Sequence, residues 1–307
     1  LSDLAVFFEH PAWFLRLFEV LASRGFTVTK IPIQDHVFDP DDLGRPADVI
    51  LNRLAMSSFL RQDEHALFYS LAALAHWEAL GARVVNGPAP LAYDLSKARQ
   101  LVLFRRLGLD IPRTRVAHRR QDLPALGREI GYPLMVKVDV GGSGAGMVRY
   151  DHEEDLRAAI AEGTVPRSVN GVTLVQDYVP ARGGRVYRCE VLDGRLLYAI
   201  ALDGAGSTFD LCPADVCMAD KPQISVSAFA PPEHIVAAVE RTARAAALDV
   251  GGLEYVIDDR DGTARFYDLN ALSNFVANPV DVLGFDPHEP FADFISTEIE
   301  RKRRAAA

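Results

Sequence analysis

One stretch narrows the folds open to this chain more than any other: Tyr132-Pro-Leu-Met-Val-Lys137-Val-Asp-Val-Gly141-Gly-Ser-Gly-Ala-Gly146. Leu134 to Val138 reads as an apolar strand and Met147 to Tyr150 as another, so the glycines between them form a flap joining two strands. A lysine inside an apolar strand costs free energy unless its ammonium meets an anion or reaches water. Gly141, Gly142, Gly144 and Gly146, with Ser143, let backbone N–H groups approach phosphate oxygens without obstruction by a Cβ. The same residues also fit a flexible hairpin beside a lysine that snorkels to solvent. Familiar phosphate loops are excluded by order and spacing. The chain has no G-x-x-x-x-G-K-[ST] and no G-x-G-x-x-G. In protein kinases the glycines precede the lysine and an H-R-D follows, and neither holds here.

The residues before this stretch alternate strand and helix. Leu4 to Phe8 reads as a buried strand, and Phe14, Leu17, Phe18 and Leu21 share a helical face that Gly25 ends. Phe26–Ile33 is a second strand and Asp48–Leu54 a third. A helix over His65–Leu80 stops at Gly81, and Ala82–Val85 is a fourth strand closed by Asn86-Gly87-Pro88. This pattern predicts an open parallel α/β domain over residues 1–88.

From Asp94 the pattern changes. Asp94 is expected to cap a helix that runs to about Leu107 and ends at Gly108. Strands at 114–117, 134–138, 147–150 and 173–178, with helices at 122–130 and 153–162, predict an α+β lobe over residues 89–178. Strands near 186–192, 195–202, 252–258 and 264–269, with a helix at 233–248, predict a second α+β lobe over 179–307.

That second lobe carries a set of oxygen ligands. Asp268 and Asn270 lie two apart on a strand, so their side chains leave the same face. Glu254 is on the preceding strand, and the Asp258–Gly262 turn folds it alongside them. Two carboxylates and an amide oxygen suit Mg²⁺, which takes its remaining ligands from water and substrate phosphates. The alternative is a solvated hairpin face, disfavoured by the apolar neighbours Leu253, Val256, Phe266 and Leu269.

Together these features resemble the ATP-grasp superfamily, especially its RimK-like carboxylate–amine ligases, over most of residues 86–287. The resemblance implies an ATP-grasp fold: the N-terminal α/β domain and two α+β lobes sandwiching ATP. It implies that Lys97 and Lys137 contact ATP phosphates beneath a flap at Gly142, Ser143 and Gly144. Leu174-Val-Gln176-Asp177-Tyr178-Val179 looks like the hinge, with Gln176 on the adenine amino group and Tyr178 and Val179 offering backbone contacts. Glu254, Asp268 and Asn270 match the family's metal-binding acid, acid and asparagine, for two Mg²⁺ ions, with Mn²⁺ as a substitute. Arg188 matches the catalytic arginine that, with Lys137, neutralises phosphate charge.

Three departures stand out. Val186 replaces an acid that often holds the ribose, Leu202 stands where a second arginine is common, and Ser273-Asn274-Phe275 replaces a continuation towards Pro-Gly.

The implied activity is ADP-forming ligation of a small-molecule carboxylate to an amine through an acyl phosphate, between two molecules or within one. A phosphotransferase and a nucleotide-binding regulatory module are the alternatives. Glu9 and His10 end the first strand and Asn52-Arg53 the third, where ligands often meet open α/β sheets, so these residues either bind an amino or carboxylate group or cap the surface. Ser273 and Asn274 are further substrate candidates. The turn Gly206-Ser207-Thr208-Phe209-Asp210-Leu-Cys212-Pro213 either shapes the acyl site or is a connector.

Composition bounds the partners. A net charge of −9 over 307 residues argues against general nucleic-acid binding. No apolar run approaches the length of a membrane span. Three cysteines make no disulfide framework and Cys212 and Cys217 no zinc pair, so a reducing cytoplasm is expected. The opening Leu1-Ser2-Asp3-Leu4 lacks the marks of a signal peptide, and trimmed or engineered ends are an expectation. A homodimer is a base-rate expectation.

Overall fold

The computed structural model describes residues 2–61, 66–142, 144–204 and 224–306. Its first sheet has the order β2-β1-β3-β4 with every pairing parallel. The strands are β1 (Ser2–Phe8), β2 (Val28–Pro32), β3 (Ala47–Arg53) and β4 (Arg83–Val85). Parallel sheets bury both faces, which explains the unbroken apolar run Leu4 to Phe8. Leu4, Val6 and Phe8 pack towards Leu17, Val20 and Leu21 of α1 (Leu15–Ser23). Ala5 and Phe7 point the other way, towards Leu67, Ala73, Leu74 and Trp77 of α2 (Ala66–Ala79).

The helix expected after Asp94 starts later, at Lys97, and an additional short helix that the sequence did not mark precedes it. Proline at N1 opens α3 (Pro88–Asp94), and α4 (Lys97–Arg106) begins afresh after Ser96. Ser96, not Asp94, is the cap: its Oγ accepts from the Arg99 N–H at 3.2 Å. Asp94 is instead buried at the end of α3, accepting the Ala271 N–H at 2.9 Å. A turn between two short helices frees this carboxylate to serve a distant strand.

The middle sheet has the order β5-β8-β6-β7, from β5 (Thr114–Ala117), β6 (Leu134–Val138), β7 (Met147–Tyr150) and β8 (Thr173–Asp177). Behind it lie α5 (Leu123–Ile130) and α6 (Glu153–Glu162), whose Leu123, Ile130 and Leu156 share a core with Leu134, Val136 and Val175. The third sheet, antiparallel, has the order β11-β10-β9-β12-β13. It comprises β9 (Ala181–Leu192), β10 (Arg195–Asp203), β11 (Ser225–Ala228), β12 (Val250–Asp258) and β13 (Ala264–Asn270). Leu101 and Phe104 of α4, with Ile235 and Val239 of α7 (Glu233–Ala245), cover one face.

Sequence periodicity did not mark β11, the short α8 (Pro279–Leu283) or α9 (His288–Ala306). Phe291 and Ile295 of α9 join the core between α1 and β3. The last helix, expected with the C-terminal lobe, thus packs on the first sheet. Among the described residues no helix is long and apolar enough to cross a membrane. The segment holding Cys212, Cys217 and the Gly206–Pro213 turn lies outside the described residues.

The first and third sheets are joined at Asn86, a fully buried residue with φ of 52°. Its side-chain oxygen accepts from the Asp249 and Val250 N–H groups at 3.0 and 3.3 Å, and its amide donates to the carbonyls of Val250 and Ala271. Arg83 reinforces the joint, pairing with Asp249 and with Glu298 of α9. Asn86→Ala would leave buried backbone groups unpaired and retain a left-handed backbone that alanine disfavours. It is expected to cost about 2–4 kcal/mol of unfolding free energy, read by urea denaturation.

Candidate active site

Strand register assembles the site. On β12 and β13 Glu254 lies opposite Asp268 and Gly252 opposite Asn270. On β9 Arg188 is the partner of Glu254 and Glu190 that of Gly252. The Arg188 guanidinium therefore lies over Gly252, where any Cβ would come within 2.6 Å of Nη2. Only glycine leaves room for it there.

Arg188 donates from Nε to Glu190 at 2.5 Å and from Nη1 to Glu254 at 2.8 Å. The other Glu254 oxygen accepts from the Tyr267 hydroxyl at 2.9 Å. Asp268 accepts from the Lys97 ammonium and, at 3.3 Å, from the Asn270 amide. Lys137 of β6 faces this group from the middle sheet, its Nζ 5.3 Å from the centre of the Tyr267 ring.

Burial decides the electrostatics. It lowers the Lys137 ammonium, and repulsion from Lys97 adds to this, leaving it at about 8. Burial also opposes charge on Lys97 and Arg188, yet the attraction of Asp268 for the one, and of Glu190 and Glu254 for the other, more than offsets it and both are raised. Glu254 is raised, chiefly by burial. Asp94 rises to about 7 through burial and the charge of Asp268, against its bond from Ala271.

The two lysines are brought together by Asp139, two residues beyond Lys137 and not singled out in the sequence. Its carboxylate accepts from Ser96 Oγ at 3.0 Å, the Ala98 N–H at 2.8 Å and the Asn170 amide at 2.7 Å. Its carbonyl accepts the Lys97 N–H at 3.1 Å. The end of β6 thereby holds the start of α4. An acid next to a lysine-bearing strand and four glycines was the available signal.

These groups line one cavity of about 430 Å³ between the middle and third sheets, a size typical of small-molecule sites. Lys97, Lys137, Arg188, Glu254, Asp268 and Asn270 all reach its wall, as do Gly142 and Gly144 of the flap. So do Gln176, Asp177, Tyr178 and Val179, and Ser273 and Asn274. Gln176 donates to Thr114 Oγ1 at 2.9 Å, Asp177 is paired with Arg260, and Arg149 lies 4.2 Å over the Tyr178 ring. Ser143 lies outside the described residues.

The remaining substrate candidates are behind the wall. Glu9 is held by Arg61 through two 2.6 Å bonds, and His10 stacks on Trp13, which does line the cavity. Arg53 is buried 4.9 Å from the centre of the Phe291 ring and donates to the Ser273 carbonyl at 3.0 Å. Val186 and Leu202, the two departures from expected charge, are register partners in one apolar cluster with Ile224 and Val256.

No group of three or more His, Cys, Asp or Glu side chains suited to a metal occurs among the described residues. A cation here would rest on two carboxylates and the Asn270 amide, an all-oxygen set that fits magnesium with water and phosphate completing its shell. Cys189 is buried, and burial pushes its thiol up to about 12, so it is chemically quiet.

An ATP-grasp architecture is what these three sheets and the enclosed cavity define. The RimK-like ATP-grasp domain matches residues 94–274, more than half of the chain. The chain belongs to that family. It is 29% identical over 206 residues to a probable alpha-L-glutamate ligase of Saccharophagus degradans, covering 63% of this chain and 64% of that protein. It is 30% identical over 196 residues to the ribosomal protein bS6–L-glutamate ligase of Escherichia coli, covering 63% and 61%. The match thus spans less than two thirds of these relatives' own length. The fold is similar to that of the ATP-grasp ligase PsnB complexed with a minimal precursor, Mg and ADP. There the TM-score is 0.67 and the identity 19%, over 97% of both chains.

Lys137 supplies a pH test of the site. Below pH 8 its ammonium is charged and attracts phosphate; above pH 8 the free protein loses that charge. Affinity for MgADP is expected to fall by up to about tenfold per pH unit above 8 until the raised value of the bound state is reached. In Lys137→Arg the charge persists and this component of the profile is expected to flatten, as read by isothermal titration calorimetry.

Proposed function

We propose that this protein is an ATP-dependent, ADP-forming ligase that activates a carboxylate as an acyl phosphate and passes the acyl group to an amine. The observation that carries this reading is the convergence of Lys97, Lys137 and Arg188 with Glu254, Asp268 and Asn270 on one cavity beneath a glycine flap. A carboxylate is a poor electrophile because its charge is delocalised over both oxygens. Its attack on the γ-phosphorus of ATP releases ADP and leaves a mixed anhydride. An amine then attacks the acyl carbon, phosphate departs and an amide remains. Phosphoryl transfer demands positioning and charge neutralisation more than covalent help.

In this reading Lys97 and Lys137 hold phosphate oxygens, and Arg188 steadies the transferred phosphoryl group and the oxygen that becomes anionic at the acyl carbon. Mg²⁺ held by Glu254, Asp268 and Asn270 would offset the charge on the phosphates. Gln176, Asp177, Tyr178 and Val179 take the adenine end. The flap of Gly142, Ser143 and Gly144 shields the acyl phosphate from water. The Escherichia coli relative is named for joining L-glutamate to a ribosomal protein, and PsnB is complexed with a precursor. Here a small-molecule carboxylate and amine are proposed, with peptides as the competing substrates.

The test is ADP release from Mg²⁺-ATP with pooled amino acids and small carboxylates, alongside pooled peptides, with mass spectrometry of the products. Pool-dependent ADP and a product lighter by one water than its two substrates are expected. Lys137→Ala and Asp268→Asn are each expected to lower the rate at least about 100-fold. AMP and pyrophosphate as products would sink the reading. A stable phosphorylated product would make the protein a phosphotransferase, and nucleotide binding without turnover on any pool would favour a regulatory module.

A further inference from the structure

Among the described residues several buried polar side-chain atoms have no hydrogen-bond partner, and some of them belong to residues that line the cavity. Three are on its wall: Glu190 Oε2, Asn274 Oδ1 and Trp13 Nε1. Glu190 stands out because its carboxylate is 1% exposed and negatively charged when ionised. Arg188 satisfies Oε1 but not Oε2. Arg53 does not fill the gap, for although Glu190 attracts it, its one bond goes to the Ser273 carbonyl and its Nε and Nη1 have no partner. Leaving such an oxygen buried and without a protein partner costs free energy that a cationic donor would return.

Glu190 and Asn274 belong to one neighbourhood. Tyr198 is the strand partner of Glu190, and its hydroxyl accepts the N–H of Val276, two residues beyond Asn274. Phe275 packs edge-on against Tyr198 with ring centres 6.3 Å apart. An occupant touching Glu190 is therefore near both Asn274 and Arg188.

We propose that Glu190 Oε2 and Asn274 Oδ1 form a subsite for the primary ammonium group of a small amino-acid-like substrate. An ammonium brings three donors and one positive charge, which two unpaired acceptors and a buried carboxylate require. The indole N–H of Trp13 on the same wall would take a substrate oxygen. The inference rests on the ligase reading and deepens it. Arg188 and Glu190 are two apart on one strand and hydrogen-bonded, so the ammonium is held a short distance from the group that Arg188 serves. The ammonium belongs either to the amine acceptor, which must release a proton to solvent before its lone pair attacks the acyl carbon, or to an acyl donor that carries one beside its reacting carboxylate.

Saturation-transfer difference NMR on the MgADP-loaded protein tests this with three probes: pooled L-amino acids, their α-amides and their N-acetyl derivatives. Members of the first two pools, which keep the ammonium, are expected to bind. The N-acetyl counterparts are expected to bind roughly tenfold to a hundredfold more weakly. Glu190→Gln, shown to be folded by circular dichroism, is expected to remove the preference. Asn274→Leu, which leaves the Arg188 contacts in place, is expected to weaken it in the same direction and serves if Glu190→Gln does not fold.

N-acetyl compounds held as tightly as free amines, no binding from either ammonium pool, or an unchanged preference in folded Glu190→Gln would each overturn the subsite. Failure of the wild type to bind MgADP would instead remove the ligase reading beneath it. The source of the ammonium follows from hydroxylamine trapping with ATP. Hydroxamates of the free amino acids place it on the acyl donor, and ADP release from the amides with added carboxylates places it on the acceptor.

Discussion

The site depends on a ladder of buried, paired charges. Glu190, Arg188 and Glu254 form one hydrogen-bonded run across β9 and β12, and Asp268 and Lys97 form a second pair across β13 and α4. Each ion taken from water alone would cost several kcal/mol, so each must lie where a partner compensates it. Register delivers that placement, and Gly252 leaves the space in which the guanidinium can lie. Among the described residues Lys137 pairs with no carboxylate, so burial prevails and lowers its ammonium, whereas at Lys97 and Arg188 the attraction of their carboxylate partners outweighs burial and raises both. The ladder stabilises the fold little in net terms. Its use is to hold charge in a largely enclosed cavity, where it acts on a ligand with less screening than in bulk water.

The ladder would be of no use if the sheets could slide apart. Two polar clamps prevent that, and both use a short side chain to satisfy backbone groups of a remote segment. Asn86 ties the end of β4 to the start of β12, and Asp139 ties the end of β6 to the start of α4. Such clamps are specific because a buried N–H or C=O left unpaired is costly, so only one arrangement of the segments satisfies all of them. The last helix adds an apolar clamp through Phe291 and Ile295.

Where this chain departs from the pattern it resembles, the departures are mutually consistent. Val186 and Leu202 replace two charges with a matched apolar pair, so neither leaves an unpaired ion. On the cavity wall Glu190, Asn274 and Trp13 present atoms that have no partner among the described residues.

Local order made the elements readable in the sequence. Alternation and turn residues gave Leu134–Val138, Met147–Tyr150, Thr114–Ala117 and Glu153–Glu162 with the bounds that the structure shows. The two-residue spacing of Asp268 and Asn270, and the turn joining their strand to that of Glu254, placed these three side chains side by side, because a tight hairpin fixes its own register. Other features depend on partners far along the chain. Asp94 looked like a helix cap until Ala271, 177 positions away, was found to claim its carboxylate. Asn86 read as a turn residue, but its partners lie 163 and 164 positions on. Glu190 was one more residue of a strand until the cavity wall showed an oxygen with nothing to bind. Periodicity reports which face of an element is apolar, whereas which remote group meets a buried polar atom is settled only when the sheets pack.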